Sequence, residues 1–198
     1  RYESSAASDV YKRQEYVKNN QVDILINNTQ GPPAGNSLSK NIDSYQEAFD
    51  LLFKSVVHTT SLVIPGMQKN KWGRIINVTS VSVKEPLNYL VLSNSIRSAV
   101  VAWAKSLSVD LGPHGITVNS ILTGYFDTER IKELNKEKSK KLNISETEVL
   151  EKMKSLVPAS RLGRPEEYGY LISFLSSDNA AHINGASIPI DGGLLKSY

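Results

Sequence analysis

The stretch Gly73-Arg-Ile-Ile-Asn-Val-Thr-Ser80 is a short run of apolar and β-branched residues that ends in two hydroxyl side chains. Such a run is typical of a buried β-strand. Three similar runs occur elsewhere in the chain: Val22-Asp-Ile-Leu-Ile-Asn-Asn28, Gly115-Ile-Thr-Val-Asn-Ser-Ile121 and Ala186-Ser-Ile-Pro-Ile-Asp-Gly-Gly193. We predict that each of the four runs contains a strand.

Segments with helical patterns separate these runs. Ser44 and Glu47 have the spacing of a capping box, which predicts a helix over residues 44–67. A second helix is predicted over 92–111, and a third begins at Pro165. Alternating strands and helices are typical of a parallel sheet covered on both faces. The predicted fold class is therefore α/β.

Ligands of such sheets bind beyond the carboxyl ends of the strands. We therefore expect a site among residues 27–31, 79–82 and 122–128. The segment 124–158 is too long for an ordinary connection and contains a second capping box, Ser145 with Glu148. Its position after a strand favours a mobile substrate lid. A solvated surface insertion is the alternative.

Composition excludes several classes of function. The chain has 198 residues, of which 40% are hydrophobic and 22% charged, so one globular domain is expected. The absence of cysteine excludes thiol nucleophiles and thiolate metal sites, and the three scattered histidines do not predict a zinc site. The net charge of +3 comes without a basic stripe, and no uncharged apolar run reaches membrane-spanning length. We expect no metal, no nucleic acid partner and no membrane partner.

Residues 1–14 (RYESSAASDVYKRQ) contain no secretory apolar region and no clear apolar period. We predict that they are a non-native or disordered leader. A native helix that reaches residues 15–20 is the alternative. If residues 1–14 are such a leader, residues 15–198 form the domain.

Five motifs carry a resemblance to a known family. They are Asn27-Asn-Thr-Gln-Gly31, Arg74-Ile-Ile-Asn-Val-Thr-Ser80, Val118-Asn-Ser-Ile-Leu-Thr-Gly124, Arg161-Leu-Gly-Arg-Pro-Glu-Glu167 and Ile190-Asp-Gly-Gly193. In order and spacing they resemble the short-chain dehydrogenase/reductase family, most closely its 3-oxoacyl-carrier-protein-reductase-like branch. The resemblance implies a Rossmann-type doubly wound parallel sheet that binds NAD or NADP, without choosing between them. It also implies hydride transfer between nicotinamide and a carbonyl or alcohol, with 3-oxoacyl thioesters among the expected substrates.

The chain departs from this family at its amino end. The family opens with a strand, a Gly-rich turn and a helix that hold the pyrophosphate, and no such segment precedes Val22. We therefore predict that residues 15–198 are the carboxyl-terminal two-thirds of one domain that lacks the first βαβ portion. The strand at 22–27 would then be an exposed apolar edge. The resemblance implies a cytoplasmic homotetramer or homodimer for the full-length protein.

The catalytic positions also depart from the family, whose tetrad is Asn, Ser, Tyr and Lys. Ser80 matches the Ser, whereas the Asn, Tyr and Lys positions fall on Leu52, Ser93 and Arg97. We predict Ser80, Ser93 and Arg97 as the catalytic residues. Arg97 can offer charge and donors to ribose hydroxyls but cannot readily pass a proton, and a serine is a much weaker acid than a phenol.

Two tyrosines, Tyr89 and Tyr125, are alternative proton donors, although an ordinary half-buried aromatic residue is the favoured interpretation of each. Ser80 has an alternative role too, because a serine at a strand end commonly binds nearby backbone groups. Arg161 and Asp191 are predicted to serve structure, tying the last helix and strand together. The residues predicted to bind the cofactor are Asn28, Thr29, Gln30, Gly31, Arg97, Thr123, Gly124 and Thr128.

Two functions remain from the sequence. The first is an NAD(P)-dependent oxidoreductase that acts on a small-molecule carbonyl or alcohol with an altered tetrad. The second is a non-catalytic relative that binds a dinucleotide or a partner, or an inactive fragment. Ser80, Arg97 and the predicted lid favour the enzyme, whereas Leu52 and Ser93 favour the second function.

Overall fold

The computed structural model of the chain describes residues 5–197. Its strands are β1 (Ile24–Asn27), β2 (Gly73–Val78), β3 (Ile116–Thr123) and β4 (Ser187–Ile190). Its α-helices are α1 (Ser5–Asn19), α2 (Ile42–Phe49), α3 (Ser55–Asn70), α4 (Val91–Leu111), α5 (Glu129–Leu142), α6 (Glu146–Ser155) and α7 (Pro165–Ser176).

The strands form one parallel sheet in the order β1-β2-β3-β4. Because the strands are parallel, each is connected to the next by a crossover that contains helices. The carboxyl ends of all four strands therefore lie at the same edge of the sheet. The predicted α/β class is confirmed. In register, Asn27 of β1 lies beside Asn77 of β2, and Asn77 beside Ser120 of β3.

Helices cover both faces of the sheet, and alternate residues of each strand are buried on opposite sides. On one face, Ile75 and Val118 pack against Met67 of α3 and Ala104 of α4. On the other face, residues including Ile121 pack against α7. This two-sided burial explains why the strands are almost continuously apolar, without the alternation of a half-exposed sheet.

Strand β1 lies at the edge of the sheet, as predicted. Ile24 and Ile26 are 42% and 41% exposed, whereas the central strand residues Ile75 and Ile76 are fully buried. Within residues 5–197, β1 thus presents an apolar edge on which no further strand pairs.

The helix predicted over 44–67 begins earlier and ends later than expected. Its amino end is capped by Asn41, whose Oδ1 accepts hydrogen bonds from the Ser44 backbone N–H at 3.0 Å and hydroxyl at 2.7 Å. The predicted capping box at Ser44 is therefore wrong, because the helix begins at Ile42 and its cap is Asn41, which binds the Ser44 N–H inside the first turn. A single π-helical segment, Asp50–Lys54, joins α2 to α3.

Helix α1 covers ten residues of the predicted leader, residues 5–14, so the native helix that the sequence left as the alternative is present there and ends at Asn19. Toward its carboxyl end Val17 packs against the core, and Arg13 donates a hydrogen bond to the Thr59 hydroxyl at 2.9 Å. Residues 1–4 lie outside the described part of the chain. The domain boundary at residue 14 stays a prediction.

Candidate active site

A cavity of about 1140 Å³ lies at the carboxyl edge of the sheet. The segments that follow β1, β2 and β3 border it, together with the start of α4 and one face of α5. The three predicted catalytic residues, Ser80, Ser93 and Arg97, all line this cavity. So do all of the predicted cofactor-binding residues: Asn28, Thr29, Gln30, Gly31, Arg97, Thr123, Gly124 and Thr128. The structure brings the predicted site together, while the role of each residue stays a prediction.

Arg97 is buried one helical turn after Ser93 and is held by backbone carbonyl groups. Its guanidinium donates to the Val78 oxygen at 2.8 Å and to the Thr29 oxygen at 3.1 Å. Burial lowers the pKa of Arg97, and the nearby Tyr168 opposes this effect. Two of the donors expected to face a ribose thus bind the protein's own backbone, because the longer arginine side chain reaches past the helix surface to the strand end.

Ser80 follows β2 and caps the short 3₁₀ helix Val81–Val83. Its Oγ accepts a hydrogen bond from the Ser82 backbone N–H at 3.1 Å. The local role that the sequence left as an alternative is therefore present. Capping uses an acceptor lone pair of the hydroxyl and leaves its proton available to a ligand in the cavity.

The residue at the family's Asn position does not reach the site. Leu52 lies in the π-helical segment and is 1% exposed. It is not among the described residues that line the cavity. Where the family has an asparagine amide, this chain has the apolar side chain of Leu52, which packs in the core. This position therefore contributes no polar group to the cavity.

Three tyrosines surround the cavity region, and the sequence identified two of them. Tyr89 and Tyr125 line the cavity, and burial together with the neighbouring Tyr125 hydroxyl raises the pKa of Tyr89 above its usual range. The third is Tyr168 of α7, whose hydroxyl lies 3.0 Å from the Thr123 hydroxyl. Burial raises the pKa of Tyr168 to about 12, although Thr123 and the Arg97 cation act in the opposite direction. No spacing rule in the sequence pointed to Tyr168.

The segment predicted as a lid forms α5 and α6. The predicted capping box is confirmed: Ser145 Oγ accepts from the Glu148 N–H at 3.1 Å, and Glu148 accepts from the Ser145 N–H at 2.9 Å. Helix α5 covers the cavity, where the Lys138 ammonium lies 5.9 Å from the Tyr89 ring centre. The location at the site agrees with the lid hypothesis, and its mobility stays a prediction.

Polar residues next to the cavity tie the sheet and its loops together. The Asn27 amide donates to Asn77 Oδ1 at 2.9 Å and to the Thr60 hydroxyl at 3.0 Å, which links β1, β2 and α3. Arg161 forms a two-point ion pair with Glu167 at the start of α7, at 2.7 and 2.8 Å. Asp191 accepts hydrogen bonds from the backbone of the turn that follows β4. Both side chains thus bind local partners, but none of these bonds joins α7 to β4, so the predicted tie between the last helix and strand stays a prediction.

The two glycines of the predicted cofactor site have different surroundings. A Cβ atom on Gly31 would meet no atom within 4 Å, so the loop after β1 presents open backbone to the cavity. A Cβ atom on Gly124 would lie 2.6 Å from the Asp191 Cα. Gly124 is thus required by the close approach of the segments that follow β3 and β4. Open backbone at 28–31 and hydroxyls at Ser80, Ser93 and Thr128 fit the ribose and carboxamide groups of a nicotinamide nucleotide.

Within residues 5–197 the chain has neither a metal-binding cluster nor a membrane-spanning helix. None of their His, Asp and Glu side chains form a group of three or more that could hold a metal ion. None of the helices in that range combines the length and the apolarity needed to cross a bilayer.

Comparison with known proteins identifies the family of the chain. The family model described as "Enoyl-(Acyl carrier protein) reductase" matches residues 6–195. The NADPH-dependent reductase BacG of Bacillus subtilis is 32% identical over 177 residues, which are 89% of this chain and 68% of that protein. The 3-oxoacyl-[acyl-carrier-protein] reductase FabG of Haemophilus influenzae is 34% identical over 192 residues, 92% of this chain and 72% of its own length.

Solved structures give the same result. The L-sorbose reductase of Gluconobacter frateurii superposes with a TM-score of 0.90 at 26% identity, and the match covers 96% of this chain and 74% of that structure. The chain thus spans between two-thirds and three-quarters of the length of these relatives. With a family model that matches nearly its whole length, the chain belongs to the short-chain dehydrogenase/reductase family.

Proposed function

We propose that the protein is an NADPH-dependent reductase of carbonyl compounds that works with an altered catalytic tetrad. The observation that carries this proposal is the convergence of Ser80, Ser93 and Arg97 on one cavity at the carboxyl edge of the sheet. Relatives described as NADPH-dependent and as 3-oxoacyl reductases support the choice of NADPH and of 3-oxoacyl thioesters among the substrates. The full-length protein is proposed to be a cytoplasmic homotetramer or homodimer.

Each group of the site has a proposed task. The loop 28–31 and the segment after β3 hold the nicotinamide nucleotide, which supplies the hydride when it is bound. Ser80 donates its hydroxyl proton in a hydrogen bond to the substrate carbonyl oxygen, which stabilises the negative charge that develops there. Arg97 fixes the loop after β1 and adds positive charge at the floor of the cavity.

The proton that completes the alcohol must come from a hydroxyl on the cavity wall. Ser93 occupies the family's tyrosine position, and Tyr89 and Tyr125 border the same space. A phenol is the better acid, because its ordinary pKa is about 10 and that of an alcohol is far higher. This comparison favours a tyrosine over Ser93, and single Tyr→Phe variants identify which one acts.

The test is a turnover assay on the full-length protein. NADPH oxidation is followed with a panel of 3-oxoacyl thioesters, sugars and quinones, for the wild type and for Ser80→Ala and Arg97→Ala. We expect turnover of at least one carbonyl compound and a large loss in both variants. The exposed Lys136→Ala variant on the outer face of α5 serves as the matched control. NADPH binding without turnover of any substrate would contradict the proposal.

Two specific observations favour a second function. Leu52 is buried away from the cavity, and two donors of Arg97 are committed to backbone carbonyls. A chain with these features suits a non-catalytic member of the family that binds the dinucleotide or a partner. The same assay separates the two, because such a protein would bind NADPH and leave every carbonyl compound unreduced.

A further inference from the structure

The segment that follows β4 contacts several of the elements around the cavity, and we call residues 191–197 the strap. Its first residue, Asp191, lies against the segment after β3, where a Cβ atom on Gly124 would be 2.6 Å from the Asp191 Cα. Its second residue, Gly192, accepts a hydrogen bond at 3.0 Å from the backbone N–H of Ala159, just after the predicted lid segment. The strap therefore begins between two of the segments that shape the cavity.

Asp191 gives the strap a defined turn. Its Oδ1 accepts a hydrogen bond from the Gly193 N–H at 2.9 Å, and its Oδ2 accepts one from the Leu195 N–H at 2.8 Å. A carboxylate that binds the backbone N–H groups of the residues after it is a common way to fix a turn. The two residues after this turn, Lys196 and Ser197, have their N–H groups left for a partner outside the strap.

That partner is the side chain of Glu85, in the loop after β2. Glu85 Oε1 accepts hydrogen bonds from the N–H groups of Lys196 at 2.8 Å and Ser197 at 2.7 Å, across 111 and 112 positions of sequence. The bonds from Ser197 and Lys196 lower the pKa of Glu85, so both are charge-assisted bonds to a carboxylate. Only one flexible side chain has to be ordered for these two bonds, whereas a surface ion pair orders two.

Glu85 lies on the segment that connects Ser80 to Ser93. In the same segment, residues 87–90 line the cavity. Two other attachments hold this segment near its ends: Ser80 caps the 3₁₀ helix, and the Asn94 amide donates to the Leu87 oxygen at 2.7 Å. The strap contact lies between these two attachments, and it joins the segment to the turn after β4.

We propose that Glu85 is a positioning residue, which binds the strap and thereby fixes the loop 87–90 in the conformation that accepts the substrate. This inference rests on the proposed reductase function. Glu85 is not among the described residues that line the cavity, so it acts through the loop and not by touching the substrate. Without the strap contact the loop occupies its binding conformation for a smaller fraction of the time, and the apparent affinity for the substrate falls by that fraction.

Matched variants of the full-length protein test both partners of the contact. Glu85→Ala removes the acceptor, whereas Glu85→Gln keeps an acceptor oxygen without its charge. Lys196→Pro removes one of the two donating N–H groups, whereas Lys196→Ala keeps it. The exposed Lys84→Ala variant is the control on the loop. The first probe is the N-acetylcysteamine thioester of acetoacetate with NADPH; if the thioester is not reduced, the compound of the turnover panel that is reduced fastest replaces it.

We expect Glu85→Ala to raise the KM for the carbonyl compound roughly fivefold to tenfold, with changes below about twofold in kcat and in NADPH affinity. Glu85→Gln should recover part of the loss, and Lys196→Pro should reproduce the loss while Lys196→Ala and Lys84→Ala do not. Glu85→Ala and Lys196→Pro together should raise the KM no further than Glu85→Ala alone, because both remove one contact. An unchanged KM in Glu85→Ala overturns the inference. So does a parallel loss of kcat and NADPH affinity, which indicates a general structural role.

Amide hydrogen exchange of residues 87–90, measured with NADPH present, does not depend on turnover. Exchange should be roughly tenfold faster in Glu85→Ala and Lys196→Pro than in the wild type, and unchanged in Lys196→Ala. If no carbonyl compound is reduced but exchange is faster, the reductase proposal fails and the positioning of the loop by Glu85 stands. If carbonyl compounds are reduced and exchange in Glu85→Ala is that of the wild type, the inference fails and the reductase proposal stands. Neither turnover nor a change in exchange overturns both.

Discussion

The guanidinium of Arg97 donates a hydrogen bond of 3.1 Å to the carbonyl oxygen of Thr29, and so joins α4 to the loop after β1 across 68 positions of sequence. A second bond of 2.8 Å reaches the Val78 oxygen at the end of β2. One side chain thus holds two walls of the cavity together. A lysine at this position has a single ammonium group and no planar fork that could serve both carbonyls in the same way.

Arg97→Ala is therefore expected to destabilise the fold as well as the site. The loss leaves two part-buried carbonyl groups without a partner, and the expected cost is roughly 2–4 kcal/mol in the free energy of unfolding. Arg97→Lys should cost about half as much, because it retains the charge and one bond. Urea unfolding measures both values, with Lys136→Ala as the surface control. Equal stability of Arg97→Ala and the wild type would show that these bonds do not hold the loop.

Ser80 is expected to contribute separately to stability and to turnover. Ser80→Ala removes the cap of the 3₁₀ helix, at about 1 kcal/mol, and removes the donor to the substrate carbonyl, at roughly 10²-fold in kcat. Ser80→Thr keeps the cap and should restore stability. Unfolding curves and steady-state kinetics on the same preparations give the two effects. Full turnover in a destabilised Ser80→Ala would leave Ser80 with the capping role alone.

The fold was predictable because its signals are local. The apolar runs identified all four strands, and Pro165 with its acidic neighbours predicted a helix that the structure confirms over Pro165–Ser176. The ends of the elements depended on distant partners. Strand β3 extends to Thr123 because it pairs there with Ile190 of β4, and β2 stops at Val78 because Ser80 begins a new turn.

The location of the site was predictable from the sequence, whereas the directions of its side chains were not. Parallel strands bring their carboxyl ends to one edge, so the motifs after each strand identified the cavity without coordinates. The direction of the Arg97 side chain was not predictable, since it depends on where the Val78 and Thr29 carbonyls lie. Tyr168 could not be identified from the sequence, because no motif or spacing rule pointed to it.

Two glycines of the cavity should respond differently to the same change. Gly124→Ala places a methyl group 2.6 Å from the Asp191 Cα, and the resulting backbone shift is expected to cost on the order of 1–3 kcal/mol. Gly31→Ala adds its methyl group to open space and should leave stability unchanged. Because the loop after β1 is proposed to approach the nucleotide closely, the added methyl group of Gly31→Ala should weaken NADPH binding.

Chemical denaturation and NADPH titration of both glycine variants check this pair. The expected pattern is a loss of stability in Gly124→Ala alone and a loss of NADPH affinity in Gly31→Ala. Unchanged NADPH affinity in Gly31→Ala would remove this glycine from the proposed nucleotide site. An unperturbed Gly124→Ala would mean that the segments after β3 and β4 separate without cost.

Acid stability is expected to depend on Glu167. Its hydrogen bonds with the Arg161 side chain, and then with the Arg164 backbone N–H, lower the pKa of Glu167 to about 2. In the unfolded chain the pKa of a glutamate is about 4.3. Because the folded-state pKa is the lower one, the stabilisation from this carboxylate is fully present above about pH 4.3 and is lost as the pH falls toward 2.

Glu167→Gln should therefore lower the urea midpoint by a nearly constant amount above about pH 4.3, and this difference from the wild type should shrink as the pH falls from about 4.3 toward 2. Glu166→Gln removes one charge from the same helical turn and serves as the control. Urea midpoints at half-unit pH steps provide the measurement. The site is solvent-exposed, so added salt should reduce the difference, as it does for surface ion pairs. Parallel pH profiles for Glu167→Gln and the wild type would show that the Arg161 contact does not hold this carboxylate ionised in the folded protein.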